Sequence, residues 1–254
     1  MGVFAQHQHG SMPMPQTATI DPGLGKVHHA VSAKNGLAQR YFDQGLAYIY
    51  AFNHDEAVKS FKQAAELDPS LAMAYWGIAL ARGSNYNLPA GPGQLSEAYQ
   101  NLQKAQGLAS TASARDRAYI EALSKRYSSD PAADQAKLGK AYKKALADVV
   151  KQFPDDLDAA TLYAESMMNL RPWQLWTLDG KPAEDTLEIV SVLEGVLRRD
   201  PTHSGANHYY IHAVEASPNP ERALASAKRL SYLAPSAGGS ADGKQYRGGD
   251  PQGG

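Results

Sequence analysis

Apolar residues recur three and four positions apart through most of this chain, the spacing that places them on one face of an α-helix. Between Ala132 and Phe153 the stripe runs Leu138, Tyr142, Leu146, Val149 and Val150, with lysines on the opposite, solvated face. Residues 38–71 carry two such stripes, broken by a turn at Asn53-His54 and closed by Asp68-Pro69. Ala-rich helical segments alternate with few β-branched runs, so the pattern predicts an all-α protein. A pair of helices with apolar residues on both sides cannot bury them alone, and the pattern therefore predicts further pairs stacked beside the first. The first pair spans Ala33 to Leu67. The second begins near Tyr75, 34 residues after Tyr41, and its second helix, Leu95 to Ala109, follows a loop from Gly83 to Gln94. The third is Ala112 to Tyr127 with Ala132 to Phe153, where Asp130 and Pro131 suit a helix start. The fourth opens at Asp156 and closes at Pro201; the fifth covers Ser204 to Ala216 and a helix starting near Pro220 and ending at Pro235, 34 residues after Pro201. Ten main helices follow.

In the first pair Tyr41, Gly45 and Tyr48, then Ala57, Phe61, Ala64 and Pro69, fall at the spacing W-x2-L-G-x2-Y, A-x3-F, P, with Gln44 where the pattern has leucine. The chain resembles tetratricopeptide repeat proteins over about residues 33–235. The runs Phe52 to Ala57, Ala72 to Gly77 and Gly205 to Ser217 are similar to a group of bacterial tetratricopeptide proteins of unassigned role. In that group the run corresponding to LAPSAG leads into a His-containing segment and further repeats, a pattern this chain leaves at Gly239. The resemblance implies a right-handed superhelix of about five helical hairpins whose concave groove receives a peptide or protein segment, and it does not imply an enzyme. Carried onto this sequence, the groove is lined by Phe42, Leu46 and Ile49 of the first unit, Met73, Trp76 and Leu80 of the second, and Thr161, Glu165 and Met168 of the fourth, with His208 and His212 in the fifth.

Composition narrows the role. A formal charge of −1 over 254 residues, with no long basic block, argues against general nucleic-acid binding, which needs concentrated Lys and Arg. With no cysteine there is no disulfide, thiolate metal site or cysteine nucleophile. No apolar run reaches the ~18 residues of a membrane span. Val3-Phe4-Ala5 before Gln6 resembles the small-residue end of a secretory signal, so the expected location is periplasmic or secreted, with the cytoplasm as the alternative. Residues 1–32 read as a flexible arm, with Ser32 a candidate cap for the first helix, and 236–254 as a Gly-rich irregular tail.

Two features carry metal chemistry. His7, His9, Met12 and Met14 crowd the arm, and imidazole with thioether suits copper. His208 and His212 lie one helical turn apart, about 6 Å along the axis, where two imidazoles can share a metal ion, with Glu165 as a third ligand. The residues between them are Tyr-Tyr-Ile, so the glutamate base of H-E-x-x-H hydrolases is absent. The two readings are thus a non-enzymatic scaffold for a protein or peptide, and a protein binding copper or another transition metal. The uncovered last hairpin is a candidate surface for self-association. Three departures from the repeat mark where function is expected: the loop Gly83 to Gln94 with Asn85, Tyr86 and Asn87, the connection carrying Trp173 and Trp176, and the histidine pair.

Overall fold

The structure is a computed structural model that describes residues 18–235. Within them lie ten α-helices: α1 (Gly36–Tyr50), α2 (His54–Leu67), α3 (Ala72–Ala81), α4 (Pro92–Leu108), α5 (Ala114–Ser124), α6 (Gln135–Gln152), α7 (Leu157–Met168), α8 (Thr186–Arg199), α9 (Ser204–Val214) and α10 (Leu224–Leu233). No strand occurs among the described residues; Trp176 and Pro182 form an isolated bridge. Local chemistry sets the helix starts. Asn35, Ser113, Asp134 and Asp156 each accept a backbone N–H of the first turn through the side chain, as does the ring of His203 for α9. Ser32 is not the first cap, because its hydroxyl is bonded to Asp116 at 2.7 Å. Likewise α6 starts at Asp134 rather than at Asp130, whose carboxylate is used locally by the Ala132 amide.

Each helix packs on its chain neighbours, and the odd-numbered helices also touch one another: α1 on α3, α3 on α5, α7 on α9, and α1 on α9. The core is built where these layers meet. Phe61 of α2 is fully buried, and it fits because Gly45 and Gly77 face its ring. A Cβ at either glycine would sit 2.6 or 2.5 Å from that ring. Phe42 lies 5.4 Å from Phe61 and 6.4 Å from Trp76, whose indole stands edge-on to Tyr119 at 5.4 Å.

This arrangement corrects the expected groove. Phe42, Leu46, Ile49, Met73, Trp76, Leu80, Thr161, Glu165 and Met168 are all buried. The reason is close approach of the odd-numbered helices, which turns their facing side chains into core, together with a cover supplied by the chain itself. Residues 18–32, expected within a flexible arm, are laid on α1 and α7. Gln44 holds them by accepting from the Asp21 amide at 2.8 Å and donating to the Thr19 carbonyl at 2.9 Å. Gln39 donates to the His29 carbonyl, the His29 amide donates to Asp43, and the Tyr41 hydroxyl donates to the Ala18 carbonyl.

The first and last helix pairs are joined through Asp158 at the start of α7. His29 Nδ1 lies 2.7 Å from one carboxylate oxygen; His203 Nε2, at 3.2 Å, and the Tyr50 hydroxyl meet the other. Burial alone would raise the Asp158 pKa, but the hydrogen bonds from His203 and His29 more than offset it and hold the group well below the usual carboxylate range. Gly205 completes the junction, since a Cβ there would lie 2.5 Å from the Tyr50 ring. On the outside, α10 exposes Leu224 and Tyr232. No described helix is long and apolar enough to cross a membrane.

Candidate metal centre

The loop from Gly83, the tryptophan connection and the histidine pair of α9 meet in one place. An open cavity of about 1040 Å³ is lined by Phe52, His54, Asn85, Asn87, His208 and His212, among others. The loop from Gly83 is ordered by its own polar groups: Asn85 Oδ1 accepts from the Asn87 and Leu88 amides at 2.9 and 3.0 Å, and Ser84 Oγ accepts from Ala90. Arg126 donates to the Ser84 carbonyl and fixes the loop to the body. Tyr86 thereby turns inward, its ring 5.0 Å from Trp173 and 5.7 Å from His212; burial pushes its hydroxyl up to about 12. Trp173 stands edge-on to His212 at 5.9 Å while remaining 57 % exposed. Trp176 folds back instead, donating its indole N–H to the Ala213 carbonyl at 2.8 Å.

Backbone strain is concentrated here. Phe52 and Trp173 have φ of 56° and 60°, and Asp185 is the remaining non-glycine residue with positive φ among those described. A bulky side chain in that region costs on the order of 1–3 kcal/mol, and such residues cluster at functional sites. Phe52 joins α1 to α2, stacks on Tyr209 at 5.3 Å and faces His208 and His212 at 4.9 and 5.5 Å. The two imidazoles thus sit among Phe52, Tyr86, Trp173 and Tyr209.

The hydrogen bonds of the pair fix its protons. His208 Nδ1 lies 2.6 Å from the Tyr50 carbonyl, which only accepts, so Nδ1 carries the hydrogen and Nε2 presents a lone pair. His212 Nδ1 lies 2.8 Å from the Glu215 carboxylate, which fixes its hydrogen on Nδ1 in the same way. Yet the two Nε2 atoms face each other at 3.2 Å. Two neutral imidazoles held in this manner oppose lone pair to lone pair, an arrangement relieved only by a cation between them, either an added proton or a metal ion. Burial lowers the His208 pKa to about 4, against the opposing hydrogen bond to Tyr50, so this ring is neutral near pH 7. The spacing matches a metal: two nitrogens at ~2.0–2.1 Å from a tetrahedral ion are about 3.3 Å apart. The carbonyl and carboxylate behind the rings are the partners that orient metal-ligating histidines.

Glu165 does not join the pair. It is buried in α7, accepts from Asn169, and has its pKa raised by burial against the opposing charge of Arg126. Among the described residues, His29, Asp156 and Asp158 are the only three such side chains whose ligand atoms lie within 4.8 Å of one another. His7, His9, Met12 and Met14 fall outside the described residues. The sequence reading missed Phe52, Tyr50 and Glu215. His54, placed at a turn by the sequence, reaches across to the end of α3, its Nδ1 3.0 Å from the Ala81 carbonyl.

Burial lowers the His54 pKa to about 4. Between pH 6.5 and 4 the unfolded chain therefore takes up a proton that the folded protein refuses, and stability falls as pH falls through that window. The expected loss from this residue is at most about 3 kcal/mol. Urea unfolding at pH 7 and pH 4.5 measures it: His54→Gln should reduce the difference between the two midpoints.

No family model matches the sequence, and no curated protein matches it.

Proposed function

We propose that this protein is a non-enzymatic helical-repeat protein that binds a transition-metal ion of the zinc or copper type between His208 and His212. In this reading the ten helices form a tetratricopeptide-like superhelix of five hairpins, and the repeat serves to bring the two ends of the array together at α1 and α9. The observation that carries the reading is the pair of Nε2 atoms 3.2 Å apart with both Nδ1 hydrogens already committed to acceptors. Imidazole ligands suit Zn²⁺, Cu²⁺ and Ni²⁺ better than Mg²⁺ or Ca²⁺. Two protein ligands leave coordination positions open toward the cavity, where solvent or a small donor molecule completes the shell. The buried inner-helix residues weigh against a peptide in their place.

The reading is tested by Zn²⁺ titration calorimetry on the full chain. His212→Ala removes one of two ligands and should weaken the site about 100-fold or more. Glu215→Gln, which changes only the partner behind the ring, should cost about 10-fold. Tyr210→Phe, whose hydroxyl donates to Glu194 at 2.7 Å on another side of α9, should leave affinity unchanged. Equal effects of His212→Ala and Tyr210→Phe would mean that the pair has a packing role.

A further inference from the structure

The cavity onto which His208 and His212 open is far larger than two metal ligands require. Its volume of about 1040 Å³ lies at the upper end of the range for sites that take a small organic molecule. The walls carry almost no charge. Among the described residues no lysine or arginine lines it, and Asp55, the one carboxylate that does, is 85 % exposed and paired with Arg82 at 3.1 Å. His54 directs its Nδ1 hydrogen to the Ala81 carbonyl, so Nε2 is left as an acceptor, and burial keeps this ring neutral near pH 7. Two amide side chains of the lining are turned back on their own loop. Asn85 Oδ1 accepts from the Asn87 and Leu88 amides, and Gln94 Oε1 accepts from the Gly91 amide at 2.9 Å. The large side chains left to form the walls are apolar: Phe52 after α1, Leu88 of the loop, Ile211 of α9 and Leu230 of α10. Leu88 is 61 % exposed, and apolar surface left open around a polar centre marks a ligand site.

We infer that this cavity binds a small nitrogen heteroaromatic compound, whose uncharged, largely apolar body fills it and whose ring nitrogen coordinates the ion held by His208 and His212; the inference rests on the metal reading above. A tetrahedral ion with two protein ligands keeps two positions for outside donors, and a neutral ring nitrogen is a donor of the same kind as the imidazoles already present. The body of the compound gains by displacing water from the walls formed by Phe52, Leu88, Ile211 and Leu230. His54 Nε2 offers an acceptor to a ligand N–H. The same walls disfavour other occupants. A phosphate compound or an acidic peptide meets no basic side chain among the described lining residues. An extended peptide needs partners for its main chain, and Asn85 and Gln94 are already committed to their own loop.

The test is calorimetry on the full chain loaded with one equivalent of Zn²⁺, with imidazole and 4-phenylimidazole as probes. Both present the same donor nitrogen, and only the second has an apolar body. 4-Phenylimidazole should bind at least about 10-fold more tightly, the gain expected from burying one phenyl ring. Leu230→Gln and Leu88→Gln make the wall polar without adding a charge near the ion. Each should lower the preference for the phenyl probe, while imidazole binds as it does to wild type, which shows that the fold and the metal are intact. Leu88→Gln lies on an exposed loop position, so its effect does not depend on how well α10 tolerates the change. Equal affinity of wild type for the two probes, or an undiminished preference in both variants, overturns the inference and leaves the metal reading standing. A chain that takes up no Zn²⁺ before either probe is added overturns the metal reading, and the inference with it.

Discussion

Replacing Phe61 with alanine lowers the unfolding free energy by about 3–5 kcal/mol, the range for deleting a fully buried aromatic ring from a core that cannot collapse. The reason for the upper range lies in the neighbours. The ring is sandwiched by Gly45 of α1 and Gly77 of α3, which have no side chains to move into the space, and it is backed by Phe42. Filling the space from the other side is no remedy. Gly77→Ala puts a Cβ 2.5 Å from the ring, a separation that real contacts do not reach, so α3 must shift away from α2. Chemical denaturation of both variants measures the effect. A loss below about 1 kcal/mol for Phe61→Ala would mean that α1, α2 and α3 do not meet around this ring.

The second large effect is expected at Asp158. Asp158→Ala strips the acceptor from His29, His203 and the Tyr50 hydroxyl at once, leaving three buried donors unpaired. Breaking a buried charged network by removing one member costs about 3–5 kcal/mol. The loss is larger than a surface ion pair could produce, which is about 0–1 kcal/mol. Asp158→Asn keeps an acceptor oxygen but loses the charge, and should fall between wild type and the alanine variant. Because the three donors come from the segment before α1, from α1 itself and from the start of α9, the alanine variant should also speed amide hydrogen exchange in 25–35 and at the end of α1. Unchanged exchange there would show that these elements are held together by other contacts.

The helices were legible because their signals are local. Apolar spacing, caps such as Asp156 and stops such as Asp68-Pro69 act within a few residues. What could not be read is the distance between helices that are far apart in sequence. Nothing within α1 or α9 says that His208 will reach the Tyr50 carbonyl, 158 positions away. Trp76, expected in the groove, becomes core in the same non-local way, between Phe42 of α1 and Tyr119 of α5, whose carbonyl accepts its indole N–H at 3.2 Å. One clue was present. Gln44 stands where the repeat spacing has leucine, and a polar side chain in a helix interface needs partners; it finds them in Thr19, Asp21 and Ser60.

The histidine pair was legible as a spacing, whereas its second shell was not. The four-residue interval puts both rings on one face of α9, but the acceptor behind His208 is a main-chain carbonyl, which no sequence pattern encodes. The surrounding cage was visible only as three interruptions of the expected helical pattern. The Gly- and Pro-containing loop, the tryptophan connection and the histidines are separated by about 80 and 35 positions along the chain, and they become neighbours through the packing of α1, α3 and α9. Glu165, read as a third ligand, is drawn instead into the interior beside Asn169 and Arg126.

The most direct test of the metal assignment is anomalous X-ray scattering from crystals of the full chain grown with one equivalent of Zn²⁺. The account predicts a single strong peak between His208 Nε2 and His212 Nε2, about 2.0–2.1 Å from each, with the two rings in the orientation set by Tyr50 and Glu215. An empty pair with the two nitrogens still in contact, or zinc held only by His7 and His9, would contradict it.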